Sequence, residues 1–256
     1  MIAAEKLFLQ ALPGLPLVRA GDDLVALILE GLNTAGLALQ TGDVLVVTSK
    51  IVSKAEGRWL DLRTVTPSER AVRLAAEIGK DPRLVEAILR ESVAISRYGH
   101  GVLIVRHRLG FTSANAGIDH SNVGPEGDDW VLLLPQDPDA SARRLRAELE
   151  KRTGVGVGVL ISDTHGRPFR VGNLGVAIGV AGIPALVDLR GHTDLFGRRL
   201  LVTTVAVADA IAAAAGLVTG EADEGRPVVL VRGLTLPVAG GCAADLIRDP
   251  ELDLYR

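Results

Sequence analysis

The sequence holds one cysteine, one methionine and five lysines in 256 residues, and aromatic side chains make up 3% of it. A lone cysteine, Cys242, excludes an intrachain disulfide and any cysteine-rich metal site. With so few aromatics, the core has to be built from Val, Leu, Ile and Ala. An excess of one charge is missing as well. The 28 basic and 31 acidic residues leave a net charge of −3, and no dense Lys/Arg block is present. Neither feature attracts nucleic acid. The uncharged run 171–187 is broken by Asn173, four glycines and Pro184, which favours a buried strand and turn over a membrane span. The first six residues, Met1 to Lys6, lack a basic stretch followed by an apolar one. No secretory signal and no membrane partner are therefore expected, and the cytoplasm is the expected compartment.

Several nucleotide and hydrolase signatures are also lacking. The only Gly-Lys pair, Gly79-Lys80, is followed by Asp81, with Leu74 where a P-loop needs its first glycine. Gly154-x-Gly156-x-Gly158 imitates a dinucleotide fingerprint, but it precedes a strand. The helix N-terminus that would receive a phosphate is missing, so these glycines are expected to let a strand pack closely. Neither a His-Glu-x-x-His zinc motif nor a Gly-x-Ser-x-Gly nucleophile elbow occurs.

Helix signals are clear in contrast. Thr66-Pro67-Ser68-Glu69 offers a capping threonine, a first-turn proline and a glutamate. Asp81-Pro82 and Asp137-Pro138 repeat the start signal, the second opening a helix that Gly154 ends. Further helices are expected over 22–35 and over the alanine-rich stretch 204–215, stopped by Gly216. Strand candidates are the β-branched runs 44–47, 102–105, 131–134, 155–161, 176–180 and 228–231. Strands and helices do not alternate strictly. The order predicts an α+β fold with mixed and antiparallel sheets and packed helices, in one domain or two interlocked subdomains.

Two polar clusters adjoin apolar runs. One is Asn115-Ala116-Gly117-Ile118-Asp119-His120-Ser121-Asn122-Val123, and the other is Ser162-Asp163-Thr164-His165-Gly166-Arg167-Pro168-Phe169-Arg170. In the second, strand 155–161 is expected to deliver a carboxylate and a hydroxyl to its end. Such oxygens suit a hard cation such as Mg²⁺ or Mn²⁺, which also holds phosphate oxygens. Arg167, Arg170 and Arg198 are charge-matched to anionic substrate groups. Asp119 becomes the second carboxylate if the loops converge. Two ionised carboxylates about 4 Å apart repel by about 4 kcal/mol at an effective dielectric near 20, unless a cation lies between them. The same pattern also describes an Asx-rich turn, so residues alone leave turn and metal site open. Thr48-Ser49-Lys50 and Ser53-Lys54 end another apolar run with hydroxyls and ammoniums that suit phosphate. His120 and His165 are read as bystanders or hydrogen-bond donors, not as ligands.

Taken together and in order, these segments resemble the coenzyme F-420-0:L-glutamate ligase (F-420 γ-glutamyl ligase) family. The match begins with Gly14-Leu15-Pro16-Leu17, Gly21-Asp22-Asp23-Leu24, Gly42-Asp43-Val44-Leu45-Val46-Val47 and Ser53-Lys54-Ala55-Glu56-Gly57. It continues through Pro67-Ser68-Glu69-Arg70, Asn115-Ala116-Gly117-Ile118-Asp119 with Ser121-Asn122-Val123, Ser162-Asp163-Thr164 with Gly166-Arg167, Ala177-Ile178-Gly179, Asp194-Leu195-x-Gly197-Arg198 and Val231-Arg232-Gly233.

The resemblance implies a GTP-dependent ligase. It would join the amino group of L-glutamate to the lactyl carboxylate of coenzyme F-420-0 through an acyl phosphate, with a second glutamate added by a γ-linkage as an extension. It further implies an intertwined homodimer and one ligase domain over 1–256; some family members carry a C-terminal flavin-binding domain, and none is expected here. Carried over by position, Asp119, Asp163, Thr164 and Glu221 match the divalent-metal ligands, for Mg²⁺ or Mn²⁺, and room remains for a monovalent K⁺. Leu15, Pro16, Leu17, Val18, Ser49, Lys54, Asn122 and the loop Thr219-Gly220-Glu221-Ala222-Asp223-Glu224-Gly225-Arg226 match nucleotide-contacting positions. The contrasting readings are a metal-dependent phosphohydrolase using Asp119 and Asp163, and a non-catalytic deazaflavin-binding protein.

Overall fold

The computed structural model describes residues 6–124, 127–237 and 239–254. In chain order the elements are β1 (Phe8–Ala11), α1 (Leu24–Thr34), β2 (Val44–Thr48), α2 (Ser49–Ala55), β3 (Trp59–Asp61), α3 (Glu69–Ile78), α4 (Pro82–Arg90) and β4 (Ser92–Gly99). Then come β5 (Val102–His107), β6 (Thr112–Ala114), β7 (Trp130–Leu132), α5 (Pro138–Thr153), β8 (Gly158–Arg167) and β9 (Arg170–Ala181). The chain closes with β10 (Val187–Asp188), β11 (Thr204–Val205), α6 (Val207–Thr219) and β12 (Val228–Arg232).

The main sheet runs β1-β12-β2-β8-β9, with β2 and β8 parallel and the other neighbours antiparallel. A second sheet, β4-β5-β6, is wholly antiparallel, and β3-β7 and β10-β11 are short antiparallel pairs. The fold is α+β, as the element order predicts.

Strand side chains alternate between faces, so a strand covered on both sides reads as an unbroken apolar run. Leu45, Val47, Val159, Ile161 and Leu230 pack on one face against α1 and α5, with Ile28, Leu32, Leu145 and Leu149. Val44, Val46, Leu160, Val229 and Val231 pack on the other against Ile211, Ala212 and Ala215 of α6. Burying one such side chain is worth about 1.5–3 kcal/mol, so these two layers dominate stability. The small sheet packs Leu103 and Val105 on α3 and α4 through Leu74, Ile78, Val85 and Ile88. A Cβ on Gly158 would lie 2.5 Å from Ile183 Cγ2. That glycine therefore serves strand packing, as read from its position. At the other end of the sheet, Arg232 donates to both oxygens of Asp43 at 2.8 and 2.7 Å, and Asp43 is buried.

Three local expectations need correction. The cap of α3 is Ser68, not Thr66: its hydroxyl accepts Ala71 N–H at 3.2 Å. The alanine-rich helix starts at Val207, because Thr204 is held in β11 opposite Asp188. It runs past Gly216 because Val218 still packs on the core, and it ends at Gly220. Finally, Asp163 and Thr164 do not end a strand. Strand β8 continues to Arg167 and turns back through Pro168 and Phe169 into β9, with a bulge between Ile161 and Ser162. Among the described residues, no helix is long and apolar enough to cross a membrane.

Candidate active site

The register of the main sheet gathers four distant segments at one end. Leu12 N–H donates to Val228 O at 2.8 Å, and Thr48 N–H donates to Pro227 O at 2.9 Å. Thr48 also pairs with Ser162 across the parallel β2-β8 ladder. Residues 15–18 after β1, 49–54 after β2 and the loop 219–226 before β12 therefore leave the sheet at the end toward which β8 carries 163–165.

The Asn115–Gly117 turn supplies the remaining wall. Its three residues take positive φ values of 50°, 55° and 63°. Asn115 Oδ1 accepts Leu103 N–H at 3.2 Å, which anchors the turn to the small sheet. A Cβ on Gly117 would lie 3.4 Å from Asp163 Oδ2, so the turn passes directly over that carboxylate. Two residues later, Asp119 exchanges backbone hydrogen bonds of 2.9 Å with Leu132, which fixes where its side chain emerges.

Polar groups interlock across this junction. Ser49 donates its hydroxyl to Asp163 Oδ1 at 2.8 Å. Lys50 Nζ lies 3.4 Å from Asp119 Oδ2 and donates to Ser121 O at 2.9 Å. Lys54, buried, donates to Asn122 O at 2.7 Å. Asn122 Nδ2 in turn donates to Ala222 O at 2.8 Å. Thr164 Oγ1 donates to Glu221 Oε1 at 3.3 Å, and Ala222 N–H donates to Glu224 Oε2 at 2.9 Å.

Burial pushes the Asp119 carboxyl up to about 6; the Lys50 ammonium opposes that rise, and the nearby Asp163 charge adds to it. The Asp163 charge thus contributes to the rise at Asp119, behind burial. An oxygen-only pair of this kind fits a hard divalent cation, whose charge would remove the repulsion. Alternation along β8 sends Asp163 to one face and Thr164 to the other. Of the four residues carried over from the resemblance, Thr164 bonds to Glu221, while Asp163 bonds to Ser49 and Asp119 pairs with Lys50 in α2. Among the described residues, no three His, Cys, Asp or Glu side chains form one metal-holding group.

Other expected site residues are placed differently. Leu15 and Val18 pack into the core, while Leu17 is exposed beside Pro16. Arg167 lies four residues along β8 from Asp163, about 13 Å by strand rise, and donates to Val171 O at 3.3 Å. Arg170 stands at the same exposed hairpin tip, and Arg198 lies in the exposed segment between β10 and β11. Within this chain, none of the three arginines bonds to Asp119 or Asp163 among the described residues. Lys50, read from the sequence as suited to phosphate, contacts Asp119, and His165, read as a bystander or hydrogen-bond donor, contacts Asp163. Lys50 lies in the first turn of α2, directly after Ser49. His165, two residues from Asp163, shares its face of β8.

Residues 14–233 match the family model described as F420-0:Gamma-glutamyl ligase. The chain is 50% identical over 246 residues to the Coenzyme F420:L-glutamate ligase of Methanothermobacter thermautotrophicus, covering 95% of this chain and 96% of that one. It is 49% identical to the protein of the same name from Methanopyrus kandleri, covering 93% of each chain. The Archaeoglobus fulgidus protein of that name is 47% identical, with 95% of this chain and 94% of the other covered. The chain belongs to the F420-0:Gamma-glutamyl ligase family.

Proposed function

We propose that this protein is a GTP-dependent ligase joining the amino group of L-glutamate to the lactyl carboxylate of coenzyme F-420-0. A carboxylate is a poor electrophile until one oxygen becomes a leaving group. The γ-phosphoryl group of GTP is therefore passed to it, and the amine displaces phosphate from the resulting acyl phosphate. The same chemistry extends to a second glutamate through its γ-carboxylate. The observation that carries the reading is the junction of Ser49, Lys50, Lys54, Asp119, Asn122 and Asp163 with the loop 219–226, in a chain of this family.

Each residue has a task in that scheme. Asp119 and Asp163 would hold one Mg²⁺ or Mn²⁺, with Thr164 and Glu221 as a second pair of oxygen donors. A bound divalent ion supplies charge neutralisation for phosphoryl transfer. Lys50 and Lys54 present ammonium groups to phosphate oxygens at a junction otherwise rich in carboxylates. Asn122 and the loop 219–226 enclose the nucleotide, with residues 15–18 alongside, and K⁺ is an optional further ion.

We also propose a homodimer. Val171 and Leu195 are 99% exposed and Phe196 is 90% exposed, on segments that carry Arg167, Arg170 and Arg198. A second copy covering these side chains would take them out of water.

The test is incubation with GTP, Mn²⁺ or Mg²⁺, L-glutamate and coenzyme F-420-0, followed by mass spectrometry. A glutamyl mass increment that requires all four is the expected result. Absence of product beside an active relative, or GTP hydrolysis indifferent to glutamate, overturns the reading. Light scattering tests the dimer: a mass near twice that of the chain is expected.

A further inference from the structure

The proposed chemistry makes no use of a string of rings leading to Asp163. His107 is fully buried, and its Nδ1 accepts Leu109 N–H at 3.0 Å. Phe111 stacks on it, with ring centroids 5.1 Å apart and planes 4° from parallel. His165 lies against the other side of Phe111, at 5.0 Å and 48°. From there His165 Nε2 reaches Asp163 Oδ2 at 2.9 Å, with only 10% of the histidine side chain accessible. An ionised carboxylate only accepts, so Nε2 carries the proton and donates.

We infer that His165 is a positioning residue for the Asp163 carboxylate and is aimed by Phe111. Ser49 holds Oδ1 and His165 holds Oδ2, so the carboxylate cannot rotate about its last bond without losing both donors. Of roughly four lone-pair directions on a carboxylate, two are then occupied and two stay open for a cation. Orienting bonds of this kind make a ligand rigid before the metal arrives, and losing them typically costs about 10–100-fold in metal affinity. Strand alternation puts His165 on the Asp163 face, and the turn between β5 and β6 supplies the ring that stops it swinging away. The small sheet thereby acts on the site without contributing a ligand. This inference rests on the proposal that Asp163 holds a divalent ion.

The experiment is Mn²⁺ titration of the whole protein by calorimetry, for wild type, His165→Phe, His165→Gln and Asp163→Ala, with melting curves for each. Positioning requires a donor. His165→Phe is expected to weaken Mn²⁺ binding about 10–100-fold, and His165→Gln to recover most of the loss through its side-chain amide. The KM for Mn²⁺ should follow the same order, while kcat at saturating Mn²⁺ changes little. A packing role alone would reverse that order, since phenylalanine fills the place beside Phe111 better than glutamine. Mn²⁺ affinity of His165→Phe within twofold of wild type, with Asp163→Ala unable to bind, overturns the inference alone. Undiminished binding by Asp163→Ala overturns the metal reading beneath it.

Discussion

Asn122, in the left-handed conformation at φ 56°, donates its side-chain amide to the carbonyl of Ala222 at 2.8 Å. One bond joins the loop that follows Asp119 to the loop that closes the sheet end. Its backbone carbonyl also receives the buried ammonium of Lys54, so Asn122 ties three segments together. Asn122→Ala removes the first of these bonds. A side-chain hydrogen bond contributes about 1 kcal/mol, so the KM for GTP should rise roughly fivefold, and the strain of alanine at φ 56° should lower the melting temperature as well. Steady-state kinetics at varied GTP checks this.

The raised Asp119 carboxyl sets a pH dependence. With its folded pKa near 6 and an ordinary value of 3.8 when unfolded, the folded protein holds this proton more tightly. The stabilisation is fully present below about pH 4 and lost as pH rises through 6. Above that, the charged group works against folding. Asp119→Asn should therefore raise the stability of metal-free protein at pH 7.5. The gain is about 2 kcal/mol, allowing for the 31% of the side chain open to water, and it vanishes toward pH 4. The same variant should lose turnover. Thermal melts across pH, beside the ligation assay, separate the two effects.

Glu91 behaves in the opposite sense. Burial would lift its carboxyl, but the His107 ring and the Arg108 and Arg58 guanidiniums hold it down at about 2. Arg108 Nε lies 3.0 Å from Glu91 and Arg58 Nη2 lies 3.4 Å from it. A depressed pKa contributes stability above the unfolded value near 4.5, and that contribution is lost as pH falls toward 2. Glu91→Gln should cost about 3 kcal/mol at pH 7 and progressively less below pH 4.5. Denaturant unfolding at several pH values measures it.

Asp43 and Arg232 lie in segments that match the family, yet they hold the fold at the end of the sheet away from the site. Removing either partner leaves the other charge poorly compensated beside a buried strand, at a cost of about 3–5 kcal/mol. Asp43→Ala and Arg232→Ala should each lower the melting temperature sharply. Replacing both with apolar residues of similar volume should restore much of the loss. Chemical denaturation of the three variants tests the coupling.

Much of this architecture can be read from local patterns. Asp81-Pro82 and Asp137-Pro138 start α4 and α5 where their capping chemistry predicts, with Asp81 accepting Arg83 N–H and Asp137 accepting Ala140 N–H. The runs around Val44, Gly158 and Val228 are strands because both their faces are covered. Boundaries failed where a distant partner decided them. Thr204 is drawn into β11, α6 continues past Gly216, and β8 extends through Asp163 because β9 pairs with it as far as Arg167. The β4 strand, mostly exposed and without a sustained apolar run, left no periodic signal.

Composition, capping residues and apolar runs determined the fold class and most of its elements, and the ordered motifs determined the family. Asp119 and Asp163 stand out in the sequence because each lies in a polar cluster beside an apolar run. Tertiary structure alone decided that Ser49, 114 residues away, bonds to Asp163, that Lys50 reaches Asp119, and that Phe111 braces His165. Those meetings depend on the register between strands. A slip of one residue would turn each side chain to the opposite face, and no local pattern records that choice.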